Sequence, residues 1–286
     1  MSEQVSDKKE EMTKCLNCGT EFCGNFCPQC GQRADTKRFT IRFIFTNLLQ
    51  AILSNDGGVW ITLKTLFTHP GQMMVDIING KRKSYFSPFP MLFLALSLYI
   101  VIFTFTGSKN IDVDSLYADD AVETFAENEA KTDDYLIATK VRNLIVDVLG
   151  IYQNHYTASF ILTIPIYILA ARVCYGRKNR RKYNWGEYCI PIVYSLVLLV
   201  LYQCLTSIVY YFSPDISGTM EDLVVFLKII VFTALFQKMF EFKTAKMVWR
   251  SFLMFAVYWA ILFTIILVVS VTVLVVLYSI DPENLG

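Results

Sequence analysis

The sequence predicts an all-α integral membrane protein with about five transmembrane helices and a small cysteine-rich module near its N-terminus. The chain is 54% hydrophobic and 18% charged, whereas soluble domains are about 45–50% apolar and about 25% charged. Five apolar segments approach the ~20 residues that cross a bilayer as a helix. Two Cys-x-x-Cys pairs stand close together, Cys15 with Cys18 and Cys27 with Cys30.

The five apolar segments differ in how clearly they predict a transmembrane helix. The first carries no charged residue, and Pro165 predicts a kink in the second. The fourth is the weakest because Lys228 lies inside it, and a re-entrant fourth segment would move the C-terminus across the membrane. The fifth has 30 residues and would be about 45 Å long, so it should tilt or project from the membrane. The predicted spans are 88–106, 156–171, 190–212, 223–240 and 251–280.

The charges between the predicted spans alternate in sign. Basic residues cluster before the first span (81–83), after the second (172–182) and after the fourth (238–250). The segments 107–155 and 213–222 are acidic instead. Loops rich in Lys and Arg stay in the cytoplasm. The pattern therefore predicts a multi-pass protein with a cytoplasmic N-terminus and a C-terminus on the outside.

The chain divides into four predicted regions. Residues 1–14 are charged and lack an apolar stretch, which predicts a disordered leader and no cleavable signal peptide. Residues 15–32 hold the cysteine cluster, residues 33–86 are mixed, and residues 87–286 form the membrane domain.

The spacing of the cysteines predicts a zinc ribbon over residues 15–32. Zinc takes four thiolates in a tetrahedron, and each Cys-x-x-Cys turn supplies two of them. Gly19 and Gly31 follow the two pairs and can adopt the left-handed conformation that closes such a turn. A rubredoxin-like iron site uses the same ligands and is the main alternative. Cys23 is expected to be a spectator, and the predicted ligands of the structural metal are Cys15, Cys18, Cys27 and Cys30.

Two stretches of the mixed region are amphipathic. Apolar residues recur at helical spacing over 41–53, and more weakly over 59–67, where Trp60, Leu63 and Phe67 share one side. Such helices lie either in the headgroup plane of the membrane or against the ends of the spans. Both alternatives place residues 33–86 against the membrane as interfacial helices.

A few polar residues are candidates for contact with lipid or for a role inside the membrane. Lys228 either snorkels or pairs, or it belongs to a transport path, whereas Gln203 is expected to bond a neighbouring helix. The predicted lipid-headgroup residues are the basic ones that flank the first and third spans: Lys81, Arg82, Lys83, Arg177, Lys178, Arg180, Arg181 and Lys182.

The sequence contains no motif that predicts catalysis. A nucleophile elbow, a phosphate-binding glycine loop and a His-Glu-x-x-His motif are all missing. The net charge of +1 gives no reason to expect nucleic acid as a partner. We therefore expect a non-enzymatic protein whose ribbon serves interaction, assembly or regulation. Its partners would be membrane lipids and a cytoplasmic protein or further copies of itself. A small-solute transporter or channel is the alternative, and a lipid-modifying enzyme is the weakest possibility.

The order of four short motifs resembles a bacterial family known as domain of unknown function 3667. The motifs are C-x-x-C-G, C-x-x-C-G-Q, TL-x-x-LF-x-x-PG and GKR-x-x-Y-x-x-P, and they lie within residues 15–106. The resemblance implies a zinc-ribbon protein of the bacterial inner membrane. It implies no activity and no catalytic residue. Its last two motifs comprise Thr62, Leu63, Leu66, Phe67, Pro70 and Gly71, and Gly80, Lys81, Arg82, Tyr85 and Pro88.

Overall fold

The computed structural model of the chain is mostly helical. Most of the predicted leader (residues 1–11), the predicted helix over 41–53 apart from residue 42, the acidic segment 107–155 and the last six residues lie outside the part that the structure describes. The described residues are 12–36, 38–40, 42, 58–106, 156–213 and 217–280.

Two short strands and eight helices make up the described chain. Strands β1 and β2 pair antiparallel, with Thr13 opposite Phe22, so the cysteine module begins inside the segment predicted as a leader. The elements are β1 (Thr13–Lys14), β2 (Glu21–Phe22), α1 (Val59–Thr68), α2 (Pro70–Ile78), α3 (Pro88–Thr106), α4 (Tyr156–Cys174), α5 (Arg177–Lys182), α6 (Trp185–Phe212), α7 (Ser217–Phe240) and α8 (Thr244–Ile280).

Four helices in the described residues are long and apolar enough to cross a membrane. This confirms the multi-pass membrane class. Helix α4 lies where the second span was predicted, but within it only Phe160–Cys174 qualifies, as a shorter apolar helix. The count of five spans therefore stays a prediction. The four qualifying segments are Pro88–Thr106, Trp185–Phe212, Leu223–Phe240 and Thr244–Val269.

Helix α6 is the centre of the bundle. It packs against α3, α4 and α7, and α8 covers α4 and α7 from the far side. In the most apolar 18 residues of each helix, 67% are buried in α6 but only 11% in α8. A helix that is apolar on all sides and still exposed needs lipid around it, because water would not tolerate that surface.

Helix α6 begins at Trp185 rather than at Ile190, where the apolar run starts. The reason is a capping box. The backbone N–H of Glu187 donates to the side chain of Asn184 at 2.9 Å, and the backbone N–H of Asn184 donates to the carboxylate of Glu187 at 3.0 Å. Two backbone donors at the start of the helix are thereby satisfied.

Helix α1 packs against the rest of the protein through a face other than that of Trp60 and Phe67. Thr62 and Leu66 are buried, whereas Trp60 is 77% and Phe67 is 69% exposed. The hydroxyl of Thr62 accepts the backbone N–H of Phe86 at 2.8 Å, which turns this side of the helix inward. The predicted face around Trp60 and Phe67 points outward, so the packing contact is made by its neighbours.

The three basic segments meet at one end of the bundle. Arg250 donates to the carbonyl of Cys174 at 2.7 Å, and the hydroxyl of Tyr183 donates to the carbonyl of Met239 at 2.7 Å. The segment before α3 joins them, because the hydroxyl of Tyr194 in α6 donates to the carbonyl of Phe86. We call this end, formed by residues 80–87, 172–187 and 238–250, the ribbon end.

Candidate metal centre

The two Cys-x-x-Cys-Gly turns have the same backbone structure. The carbonyl of Cys15 accepts the N–H of Gly19 at 2.9 Å, and the carbonyl of Cys27 accepts the N–H of Gly31 at 2.8 Å. Each first cysteine also donates its own N–H to the carbonyl of the residue after the glycine, at 2.9 and 2.8 Å. The sequence repeat is therefore a structural repeat of two matching knuckles.

The glycines of the knuckles are required by backbone conformation and not by lack of space. Gly19 and Gly31 have φ angles of 82° and 71°, in the left-handed region. A Cβ atom built on Gly19 would meet nothing within 4 Å. A residue with a side chain would still pay about 1–2 kcal/mol to adopt this conformation.

The four sulfur atoms form a compact cluster that could hold a metal ion. All four lie within 4.8 Å of one another. Two separations of 3.5 Å join Cys15 with Cys30 and Cys18 with Cys27, so each of these pairs links the two knuckles. A tetrahedron with Zn–S bonds near 2.3 Å has edges of about 3.8 Å. The donor set and its size thus fit a metal with four sulfur ligands.

The cysteine module has a very small core. Only three apolar residues, Cys15, Phe22 and Cys27, are buried there among the described residues, with Cys30 and Ala34 packed against them. So little buried surface contributes little folding energy, and modules of this size usually depend on a metal or on disulfides.

Hydrogen bonding lowers the pKa of one thiol of the cluster, and burial raises the pKa of another. Hydrogen bonds to Thr20, whose hydroxyl lies 3.3 Å from the sulfur, lower the pKa of Cys18 to about 6. Burial raises the pKa of Cys30 to about 11. A metal ion displaces the proton of every thiol that it binds. Cys18 is thus ready to bind as a thiolate, whereas Cys30 gives up a proton on binding.

The side chain of Gln32 fastens the module to the loop before α3. Gln32 follows the second knuckle and is only 6% exposed. Its Nε2 donates to the carbonyl of Gly80 at 2.9 Å, and its Oε1 accepts the backbone N–H groups of Arg82 and Lys83 at 3.2 and 3.3 Å. One amide therefore satisfies three backbone groups of the loop.

The first knuckle contacts the same loop through its two middle residues. The side-chain oxygen of Asn17 accepts from the hydroxyl of Ser84 at 2.9 Å and from its N–H at 3.3 Å. Leu16 packs against Gly80, where a Cβ atom would lie 2.6 Å from Leu16 Cδ1. Gly80 has φ 102°, so this position needs glycine for its conformation, and Leu16 would also have to shift to make room for a Cβ atom. We call residues 80–84 the docking loop.

A second contact joins the chain after the module to α6. Arg38 binds the carboxylate of Glu187 through two hydrogen bonds of 2.7 Å, and the side chain of Glu187 is 1% exposed. The bidentate contact raises the pKa of Arg38. The chain also passes close over Gly186, where a Cβ atom would lie 2.6 Å from the carbonyl oxygen of Phe39.

Comparison with known proteins identifies one segment of the chain. Residues 56–100 match the model of the family described as "Protein of unknown function (DUF3667)". No curated protein and no solved structure matches the chain. The match supports the family resemblance.

The DUF3667 segment contains the docking loop but not the cysteines. It runs through α1 and α2, then the loop, and into α3. The two later motifs of the resemblance thus lie inside the matched residues, and the two cysteine motifs lie before them. The structure brings the two groups into contact, because Gln32 belongs to the second cysteine motif and Gly80 to the fourth motif.

The basic triplet of the DUF3667 segment contacts protein. Lys81 Nζ lies 3.4 Å from the carboxylate of Asp76, and Lys83 lies beside Gly31. The guanidinium of Arg82 stands 3.7 Å from the ring centroid of Phe39, and burial lowers its pKa to about 10. Arg82 and Lys83 therefore help to seat the cysteine module, through their backbone bonds to Gln32, whereas Lys81 pairs with α2.

The other predicted basic residues lie apart from the DUF3667 segment. Helix α5 carries them between α4 and α6, and Arg180, Arg181 and Lys182 are exposed. Arg177 and Lys178 lie in the first turn of α5, and their side chains are outside the described part.

The two polar residues predicted inside the membrane do not belong to a common site. Lys228 lies on α7, with Nζ 5.4 Å from the ring centroid of Phe255 in α8. Gln203 lies half-buried on α6. A groove of about 460 Å³ runs along α8, but its lining is apolar except for Thr264.

The residues that seat the module were missed by sequence reasoning. Asn17, Arg38 and Glu187 belong to no recognised motif. Gln32 is the last residue of the C-x-x-C-G-Q motif, and its place in that motif is the one sequence feature that pointed to it. Its role follows only from the fold, since its partners lie 48 to 51 residues away along the chain.

Proposed function

We propose that this chain is a non-enzymatic membrane protein in which a zinc ribbon holds the ribbon end of the helix bundle together and serves assembly or regulation. The observation that carries the proposal is the amide of Gln32, which bonds three backbone groups of the docking loop. The ribbon is thereby part of the membrane domain's structure.

Zinc is the metal that the thiol cluster favours. Four cysteine ligands leave no open coordination position, and closed four-coordinate sites are structural. Zinc would hold Cys15, Cys18, Cys27 and Cys30 together and supply the folding energy that the small core lacks. Iron would fit the same ligands, so metal analysis of the purified protein distinguishes the two.

Metal binding would be transmitted to the membrane helices through the docking loop. Gln32 stands two residues after Cys30, so the second knuckle fixes its position. The docking loop leads to Phe86, whose N–H bonds Thr62 of α1 and whose carbonyl accepts from Tyr194 of α6. Loss of the metal would release Gln32 and loosen the contacts on which α1, α3 and α6 depend.

We further propose five spans in a bacterial inner membrane, with the ribbon in the cytoplasm. Helix α4 has 19 residues and would be about 28 Å long, close to the ~30 Å hydrocarbon core. The basic residues near the ribbon end favour the cytoplasmic side. Five spans would place the C-terminus outside.

The experiment is to change Cys27 and Cys30 to serine and to compare membrane level, metal content and co-purifying proteins. Cys23→Ser is the matched control, because Cys23 is an exposed cysteine of the same ribbon outside the four-sulfur cluster. We expect wild type and control to carry about one zinc per chain and the double variant almost none. The double variant should also be several-fold less abundant and should lose its partners. Normal abundance with normal partners would show that the ribbon has no assembly role.

A further inference from the structure

The junction of α4 and α6 carries a basic surface that does not seat the ribbon. Arg172 ends α4, and its guanidinium lies 4.1 Å from the ring centroid of Trp185 and 5.4 Å from that of Tyr188. Trp185 is 44% exposed. A guanidinium stacked on a half-exposed indole at the end of a membrane helix is typical of the lipid–water interface.

The cations of this surface lack carboxylate partners among the described residues. Glu187 is taken by Arg38, and Glu241 pairs with Lys182 at 3.5 Å. Arg172 donates only to the carbonyls of Arg180 and Tyr183, both at 3.5 Å. Arg180 and Arg181 are exposed. Three guanidinium groups, on Arg172, Arg180 and Arg181, thus have no neutralising carboxylate within the part of the chain that the structure describes.

Apolar surface continues from these cations along α4. Leu169 and Val173 are exposed on α4 beside Arg172. The surface therefore combines cations at the ribbon end with an apolar strip that runs into the membrane. A phospholipid would match this arrangement, with its charged headgroup at the cations and an acyl chain along the apolar strip. The backbone N–H groups at the start of α6 contribute little, since the capping box already occupies two of them, and α6 supplies the indole of Trp185 instead.

We propose that Arg172, Arg180, Arg181 and Trp185 bind the phosphate headgroup of an anionic phospholipid. Guanidinium groups bind phosphate in a bidentate manner, and Trp185 would fix the depth of the headgroup. The two predicted basic clusters therefore have different roles. The loop of Lys81, Arg82 and Lys83 contacts the ribbon and α2, whereas the α4–α6 junction binds lipid.

The test measures the thermal stability of the detergent-purified full chain with three additives. Phosphatidylglycerol in mixed micelles should raise the melting temperature of wild type by a few degrees. Phosphatidylcholine and inorganic phosphate should not. The Arg180→Gln, Arg181→Gln variant should lose most of the shift, and Arg172→Lys, which keeps the charge but not the flat guanidinium, should lose part of it.

The matched control is Lys243→Gln, Lys246→Gln, which removes two exposed charges from the same end of the bundle. It should keep the full shift. Without lipid, the Arg180→Gln, Arg181→Gln variant should melt like wild type, because both side chains are exposed. An equal loss of the shift in the control would show that the lipid responds to general surface charge and not to these arginines. An equal shift with inorganic phosphate would show that the site binds a free anion rather than a lipid. No shift with phosphatidylglycerol would show that these residues form no lipid site.

Discussion

The side-chain amide of Gln32 donates to the backbone carbonyl of Gly80 at 2.9 Å, across 48 residues of sequence. This bond joins the last knuckle of the ribbon to the loop that enters the first membrane helix. It makes the metal-binding module and the membrane domain one structure. The positions that matter most for this junction are Gln32, Gly80 and the Arg38–Glu187 pair, and each can be tested separately.

Changing Gln32 to alanine should detach the ribbon without emptying the metal site. The change leaves the carbonyl of Gly80 and the N–H groups of Arg82 and Lys83 without their partner. Unsatisfied buried groups cost about 1–3 kcal/mol in total here, since water can reach part of the opened contact. We expect normal zinc content, a lower melting temperature and faster proteolysis between the ribbon and α3.

Asn25→Ala is the control for this experiment. Asn25 also carries an amide and lies on the same ribbon, but it is exposed. It should melt and resist protease like wild type. If Gln32→Ala also behaved like wild type in both measurements, the contact between Gln32 and the docking loop would not stabilise the protein.

Changing Gly80 to alanine should destabilise the chain more than the same change at Gly24. Both glycines have left-handed backbone, with φ 102° and 109°, so both substitutions cost about 1–2 kcal/mol in conformation. Only Gly80 also meets a side chain, Leu16 Cδ1 at 2.6 Å, whereas Gly24 has nothing within 4 Å. The extra loss in melting temperature measures the clash.

A second change separates the two effects at Gly80. Leu16→Ala removes the clashing atom, so Leu16→Ala, Gly80→Ala should be more stable than the sum of the single changes predicts. Additive effects would mean that Leu16 does not contact the docking loop.

The Arg38–Glu187 pair should respond unequally to the loss of either partner. Arg38→Gln leaves a carboxylate that is 1% exposed without its cation, which should cost about 1–3 kcal/mol. Glu187→Gln leaves a guanidinium that is largely in water, and its amide oxygen can still accept from Asn184. We therefore expect less than about 1 kcal/mol for this change.

Thermal melting of both single variants and the double variant checks this asymmetry. The double variant should be closer to Glu187→Gln than to Arg38→Gln, because the buried charge is gone. Equal destabilisation by the two single changes would contradict the burial of Glu187.

The sequence predicted local features well and long-range ones poorly. The four-cysteine cluster follows from two turns that each span four residues, and the four candidate spans follow from continuous apolar runs. The partners of Gln32 and Arg38 lie 48 to 149 residues away, where spacing carries no information. The start of α6 was predicted at Ile190 instead of Trp185, because a charged residue such as Glu187 beside an apolar run is typical of a loop. Its role in the capping box is visible only in the structure.

The stability of the docking loop should fall at alkaline pH through Tyr85. Its hydroxyl donates to the carboxylate of Asp76 at 3.1 Å, and burial together with this carboxylate raises the pKa of Tyr85 from 10.0 to about 12. A raised pKa favours the protonated form in the folded state. The contribution is thus complete below pH 10 and is lost as pH rises toward 12.

Tyr85→Phe removes this titration. Melting temperatures of wild type and variant should differ near pH 8 and converge between pH 10 and 12. The difference between the two proteins is the relevant quantity, because the chain contains 16 tyrosines. A difference that stays constant with pH would show that folding does not raise the pKa of Tyr85.

Changing Lys228 to methionine should leave the protein as stable as wild type or slightly more stable. The ammonium group lies inside a candidate span, where a charge is costly, and its described contact is with the ring of Phe255 at 5.4 Å. Methionine fills similar volume without the charge. Lys238→Met is the contrasting variant, because it removes a 3.1 Å hydrogen bond from Nζ to Gln72 on α2 and should lower the melting temperature. Ion flux into proteoliposomes should be the same for wild type and Lys228→Met. A flux that is present in wild type and lost only in Lys228→Met would favour a transporter or channel over the assembly role, because Lys228 would then line a conducting path.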